Sequence, residues 1–122
     1  MGVADTIEVT GDGSAVQAVA DLTDNRMCDV VVDATGSIRS MSGALEFCAF
    51  KGRLVYVGIS QDELQFPHAP VMHRREVTLL ASRNALSRDF TRIIKLIDEG
   101  TIDTKPWITH EAPFDAMIQQ FP

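Results

Sequence analysis

The run Cys28-Asp29-Val30-Val31-Val32-Asp33-Ala34 sets the tightest limit on how this chain can fold. Three consecutive β-branched residues without polar alternation suit a strand covered on both faces, as in a parallel sheet flanked by helices. Thr35-Gly36-Ser37 breaks the run. Two more strands follow the same grammar: Arg53-Leu54-Val55-Tyr56-Val57, ended by Gly58, and Val77-Thr78-Leu79-Leu80-Ala81, stopped by Ser82-Arg83-Asn84. A shorter one, Thr6-Ile7-Glu8-Val9, is closed by Gly11-Asp12-Gly13.

Helical periods fill the spaces between them. Ser14 is an N-cap candidate for a helix through Ala15, Val16, Val19, Ala20 and Leu22. Met41, Ala44, Leu45 and Cys48 recur at i, i+3, i+4 and i+7, with Lys51-Gly52 as the cation and glycine of a helix end. Ser87 caps a third helix, whose stripe is Phe90, Ile93, Ile94 and Ile97 and whose stop is Gly100. Residues 59–76 hold Pro67 and Pro70 without a clean period and read as a loop. Strands alternating with helices predict an α/β fold with a parallel sheet, formed by residues 1–122 as one domain.

Composition narrows the function classes. With 45% hydrophobic and 23% charged residues, the chain is an ordinary globular sequence, not a disordered or fibrous one. No stretch approaches the ~20 apolar residues that span a bilayer, and Met1-Gly2-Val3-Ala4-Asp5 lacks the basic and apolar regions of a signal peptide. The expectation is a cytoplasmic protein. The net charge is −6, and the basic residues form no clustered stripe, so nucleic acid is not an expected partner. Cys28 and Cys48 are too few for a disulfide framework and read as small buried hydrophobes of a reducing compartment. His68, His73 and His110 are scattered and show no metal-ligand spacing, so no metal is expected here.

In open parallel sheets, ligands sit outside the carboxyl ends of the strands. The glycines and small residues at 11–13, 35–37, 58–60 and 82–84 would let a ligand approach the backbone there. Gly11-Asp12-Gly13 imitates a dinucleotide fingerprint. It fails because Val16 occupies the last glycine position and Asp12 would place a carboxylate beside a pyrophosphate. Asp33 imitates a phospho-acceptor aspartate but lacks the acidic pair and lysine that such chemistry needs, so it reads as a structural or ligand-edge aspartate.

The ordered set DVVVDATG at 29–36, GRLVYVG at 52–58, TLLASRN at 78–84, FTRIIKLIDEG at 90–100 and ITHEAPFD at 108–115 resembles the medium-chain dehydrogenase/reductase family. It is most similar to the zinc-type alcohol, polyol and sugar-acid dehydrogenases. The resemblance implies a Rossmann domain that binds NAD or NADP. Thr35 and Gly36 would line the cofactor cleft. Val57, Gly58 and Ile59 would lie along the nicotinamide ribose, and Ser82, Arg83 and Asn84 would reach the nicotinamide end. No catalytic residue is assigned to this chain, His110 included.

Relatives carry further residues ahead of Met1 and beyond Pro122, including the zinc ligands and the glycine-rich loop. The expectation is therefore a partial Rossmann-like sheet of the latter four strands with helices mainly on one face, inactive in isolation. The strand at 29–34 would then offer a bare edge, and uncovered apolar side chains would each forfeit about 1.5–3 kcal/mol. A homodimer or higher oligomer, joined through the sheet edge or the uncovered face, is the expected remedy. A non-catalytic α/β ligand-binding or assembly module is the alternative reading.

Overall fold

The computed structural model describes residues 4–120. The readings made at Met1–Val3 and at Phe121–Pro122 lie outside the described residues. Two compact units are seen within the span read as one domain, one ending at Arg83 and the other starting at Asn84.

In the first unit, helix α1 (Ser14–Leu22) is followed by strand β1 (Cys28–Asp33), helix α2 (Ile38–Gly43) and a 3-10 turn at Ala44–Phe47. Strand β2 (Cys48–Tyr56), a π-helical turn at His68–His73 and strand β3 (Thr78–Ala81) complete it. The sheet has the order β1-β2-β3, with both pairings parallel as the apolar runs predicted. Val31, Leu54 and Leu79 lie side by side in register, and so do Asp33, Tyr56 and Ala81.

Side chains alternate across a strand, so these rows share one face. That face carries the core: Leu54 and Tyr56 pack with Met41, Ala44, Leu45, Cys48 and Val77. Leu64, Phe66, Val71 and Met72 close over it from the segment between β2 and β3. The opposite face bears Val30, Val32 and Leu80, at 55%, 59% and 45% exposure. Coverage on one face is what the sequence led us to expect.

Three local expectations are corrected. Thr6–Val9 forms no strand: it makes no ladder pairing, and Val9 is exposed. The described sheet therefore has three strands rather than four. The stripe Met41–Cys48 is buried as expected, but the helix ends at Gly43 and Cys48 already belongs to β2. Lys51 and Gly52 thus lie inside β2, where Lys51 adopts a left-handed φ of 59° beside a register shift, and do not close a helix. The stretch read as a loop contains the π-helical turn, which contributes Val71 and Met72 to the core.

The helix starts differ too. α1 begins at Ser14, and the group that satisfies its first turn is the Asp12 carboxylate, which accepts the Ser14 N–H at 2.9 Å and the Thr10 hydroxyl at 2.8 Å. The Ser14 hydroxyl first, then the Ser14 N–H and the Thr10 hydroxyl, hold the Asp12 carboxyl at about 2. In the second unit, helix α3 (Ser87–Asp98) has Leu86 at the cap position, and the Asp89 carboxylate accepts the Leu86 N–H at 2.8 Å. A carboxylate also accepts without needing to orient a hydroxyl, and its charge complements the helix N-terminus. Gly100, at φ 72°, closes α3 by donating its N–H to the Ile97 carbonyl at 2.9 Å. Two 3-10 turns (Lys105–Trp107 and Phe114–Ala116) and helix α4 (Met117–Gln120) follow. Phe90, Ile93 and Ile94 of the α3 stripe are exposed. No helix among the described residues is long and apolar enough to cross a membrane.

Candidate functional site

The three parallel strands end together at Asp33, Tyr56 and Ala81, so the segments that follow emerge at one carboxyl edge. Thr35 and Gly36 leave β1, Val57-Gly58-Ile59 leaves β2, and Ser82-Arg83 leaves β3. Backbone hydrogen bonds tie each exit to its neighbour. The Val57 and Gly58 N–H groups donate to the Asp33 carbonyl at 2.8 and 3.0 Å, and the Ser82 N–H donates to the Tyr56 carbonyl at 2.8 Å.

The first two exits touch. A Cβ placed on Gly58 would lie 2.4 Å from the Gly36 nitrogen and 3.1 Å from the Thr35 nitrogen. One placed on Gly36, whose φ is 66°, would lie 3.1 Å from the Ile59 carbonyl oxygen. Only glycines allow the two backbones to come this close. Of the eight residues proposed from the sequence, Thr35, Gly36, Val57, Gly58 and Ile59 are thus brought together, with Ser82 tied alongside and Arg83 next to it. Asn84 opens the second unit with a left-handed backbone at φ 55°.

Asp33 lies beneath this edge and is 5% exposed. One carboxylate oxygen accepts the Thr35 N–H at 3.0 Å and the Thr35 hydroxyl at 2.9 Å; the other accepts the Ser40 hydroxyl at 2.6 Å. Burial alone pushes the Asp33 carboxyl up, and the hydrogen bonds from Ser40 and Thr35 outweigh it, so the net displacement is downward. The Tyr56 hydroxyl donates to the Met41 carbonyl at 2.7 Å, and burial followed by the Asp33 charge pushes its ionisation up. Cys48 is a free, fully buried thiol whose ionisation is raised chiefly by burial. Arg75 donates to the Glu46 and Cys48 carbonyls, both at 2.9 Å, which ties the strap between β2 and β3 to the start of β2.

A groove of about 410 Å³ opens beside the site, between the Thr10–Gly13 turn and α2. Arg39 crosses it, donating from its guanidinium to the Gly11 carbonyl at 3.1 Å. Sequence reasoning missed this groove and the Thr35–Asp33–Ser40 cluster, because both join residues with no local pattern between them. The polar end of an otherwise apolar strand, at Asp33, was the one available signal.

Backbones that meet at glycines at the ends of adjacent parallel strands lie where open α/β sheets bind their ligands. Zinc is a different matter. Among the described residues no three His, Cys, Asp or Glu side chains converge to hold a metal ion.

The family model described as zinc-binding dehydrogenase matches residues 1–99. L-galactonate-5-dehydrogenase of Escherichia coli is 35% identical over 91 residues, which is 75% of this chain and 26% of that protein. The NAD-dependent alcohol dehydrogenase of Saccharolobus solfataricus is 30% identical over 88 residues, 72% of this chain and 24% of that one. The crystal structure of 2R,3R-butanediol dehydrogenase from Bacillus subtilis shares the fold at a TM-score of 0.79 and 18% identity, covering 93% of this chain and 32% of its own. The chain spans about a quarter of the length of the two sequence relatives.

Proposed function

Because this chain belongs to the zinc-binding dehydrogenase family, we propose that it forms the nicotinamide-facing part of the cofactor-binding domain of a cytoplasmic oxidoreductase acting on an alcohol, polyol or sugar acid. The observation that carries this reading is the contact between Gly36 and Gly58, which brings two strand exits together at the carboxyl edge of the sheet. The printed names of the relatives, an NAD-dependent alcohol dehydrogenase and a sugar-acid dehydrogenase, support it.

A bound NAD or NADP would supply the hydride acceptor or donor. This chain's part is to hold and orient it. Backbone groups of Thr35, Gly36, Val57, Gly58 and Ile59 would flank the nicotinamide and its ribose, with Ser82, Arg83 and Asn84 toward its far end. The described residues offer no zinc donor set. The Gly11–Gly13 turn has its helix N-terminus already occupied by the Asp12 carboxylate, which repels a pyrophosphate. The chain by itself therefore binds the cofactor weakly and turns over no alcohol.

Titration of the 15N-labelled chain with NADH tests this. Expected are amide shifts concentrated at 35–36, 57–59 and 82–84, with a dissociation constant weaker than about 100 µM, since the pyrophosphate contacts are missing. Shifts absent at millimolar NADH, or gathered elsewhere, refute the cofactor reading.

We propose in addition that a second copy of the chain covers the apolar sheet face of Val30, Val32 and Leu80. All three side chains are exposed, and each large apolar side chain left uncovered forfeits about 1.5–3 kcal/mol. Direct edge pairing of two β1 strands centred on Val31 would set Asp29 opposite Asp33, and like charges there oppose it. The face is the better surface.

A further inference from the structure

We infer that Asp33 is a positioning residue that couples the two nicotinamide-facing turns, its carboxylate fixing the Thr35–Gly36 turn and its main-chain carbonyl fixing the Val57–Gly58 turn. This rests on the cofactor reading above for its functional meaning, but its geometry stands by itself.

A buried carboxylate is costly unless its lone pairs are satisfied. A strand could end on any apolar residue at this position, as β3 ends on Ala81. Instead Asp33 makes three side-chain hydrogen bonds, and all three reach toward the exit of β1: two to Thr35 and one to Ser40 of α2. Thr35 relays the anchor, because its hydroxyl oxygen accepts the Ser37 N–H at 3.1 Å. The turn from 35 to 37 is therefore held from its inner side at the N–H of Thr35, the hydroxyl of Thr35 and the N–H of Ser37.

The same residue's carbonyl takes both the Val57 and the Gly58 N–H groups. A single acceptor serving two successive donors fixes the direction in which the chain leaves β2. The two turns then meet backbone to backbone at Gly36 and Gly58. A contact that close transmits displacement, because neither glycine has a side chain that could yield. Moving the Thr35–Gly36 turn must move Gly58 and Ile59. The downward displacement of the Asp33 carboxyl agrees with an anion held by these donors at neutral pH.

Two variants test the coupling. Thr35→Val keeps the shape of an exposed side chain and deletes the hydroxyl alone. Asp33→Asn keeps one oxygen for the Thr35 donors and offers its NH2 to the Ser40 hydroxyl, which makes it the conservative comparison for Asp33→Ala. In the uncomplexed chain, Thr35→Val is expected to shift the amides of Gly58 and Ile59 as well as those of 35–37. Hydrogen exchange at Val57 and Gly58 should speed up about fivefold, the loss expected for one hydrogen bond, with the thermal midpoint lowered by about 4–8 °C, which that single loss amounts to in a unit of this size. Asp33→Ala should exceed this and Asp33→Asn should restore most of it.

Changes confined to residues 35–37 overturn the proposal, as does an Asp33→Asn protein no better than Asp33→Ala. Should Asp33→Ala fail to fold, Thr35→Val decides alone. NADH titration of the same proteins separates the two readings. A wild type that ignores NADH removes the cofactor reading and leaves the coupling to be judged by exchange. A wild type that binds NADH, with Thr35→Val binding about five- to tenfold more weakly, supports both.

Discussion

Gly58→Ala places one methyl group where the structure has no space for it, so its cost can be worked out in advance. The new Cβ would lie 2.4 Å from the Gly36 nitrogen, 3.0 Å from its Cα and 3.1 Å from the Thr35 nitrogen. All three are backbone atoms, so relief requires the two turns to part by about 1 Å, the order of shift that overpacked interiors undergo. Parting them pulls the Val57 and Gly58 N–H groups away from the Asp33 carbonyl. Overpacking costs about 1–3 kcal/mol and each weakened hydrogen bond about 1 kcal/mol. Lower entropy of the unfolded alanine chain returns about 0.4–1 kcal/mol. The net destabilisation is about 2–4.5 kcal/mol, or about 10–35 °C in the midpoint of a unit this size. Urea unfolding followed by far-UV circular dichroism should show a lower midpoint at unchanged slope. Gly43→Ala is the matched comparison. Gly43 has φ −84° at the end of α2, and nothing lies within 4 Å of an added Cβ, so alanine there should stabilise by about 0.5–1 kcal/mol. A Gly58→Ala protein within about 0.5 kcal/mol of wild type, the scatter of ordinary surface changes, would refute the idea that the two turns are packed backbone on backbone.

Two further outcomes follow from the same structure. Asp33 ionises more readily folded than unfolded, so its stabilising contribution is complete above the ordinary carboxylate range near about 4 and is lost as pH falls through its lowered folded value. The gap in thermal midpoint between wild type and Asp33→Asn should be widest at pH 6–7 and shrink steadily in acid; a gap that is flat with pH contradicts the assignment. Light scattering on a size-exclusion column should find the wild type as a dimer at micromolar concentration, and Val32→Lys, which puts a charge on the exposed face, should yield monomer. A well-folded wild-type monomer would sink the proposal that a second copy covers that face.

How far the sequence reached depends on whether the signal was local. The apolar runs at 30–32, 54–57 and 77–81 announced parallel strands because each run lacks polar alternation; β1 and β3 formed within a residue of their expected bounds, whereas β2 starts at Cys48, ahead of the expected Arg53. The α2 stripe was read correctly for burial and wrongly for conformation. A helix and an inward-facing strand start both bury Met41, Ala44, Leu45 and Cys48, so periodicity alone could not say where one ended and the other began. Thr6–Val9 has strand-like residues but no partner, and a strand exists only through its ladder. The same distinction runs through the site. Glycines at strand ends are visible in any sequence, and they located the edge. What makes it a site is that Gly36 meets Gly58, twenty-two positions away, and that Asp33 reaches Thr35 and Ser40 at once. These contacts exist only after the sheet has set the register of Asp33 beside Tyr56. Register is a property of paired strands and not of either strand alone, so the residues of the edge, Asp33 among them, could be named from the sequence, while what Asp33 joins could be seen only in the fold.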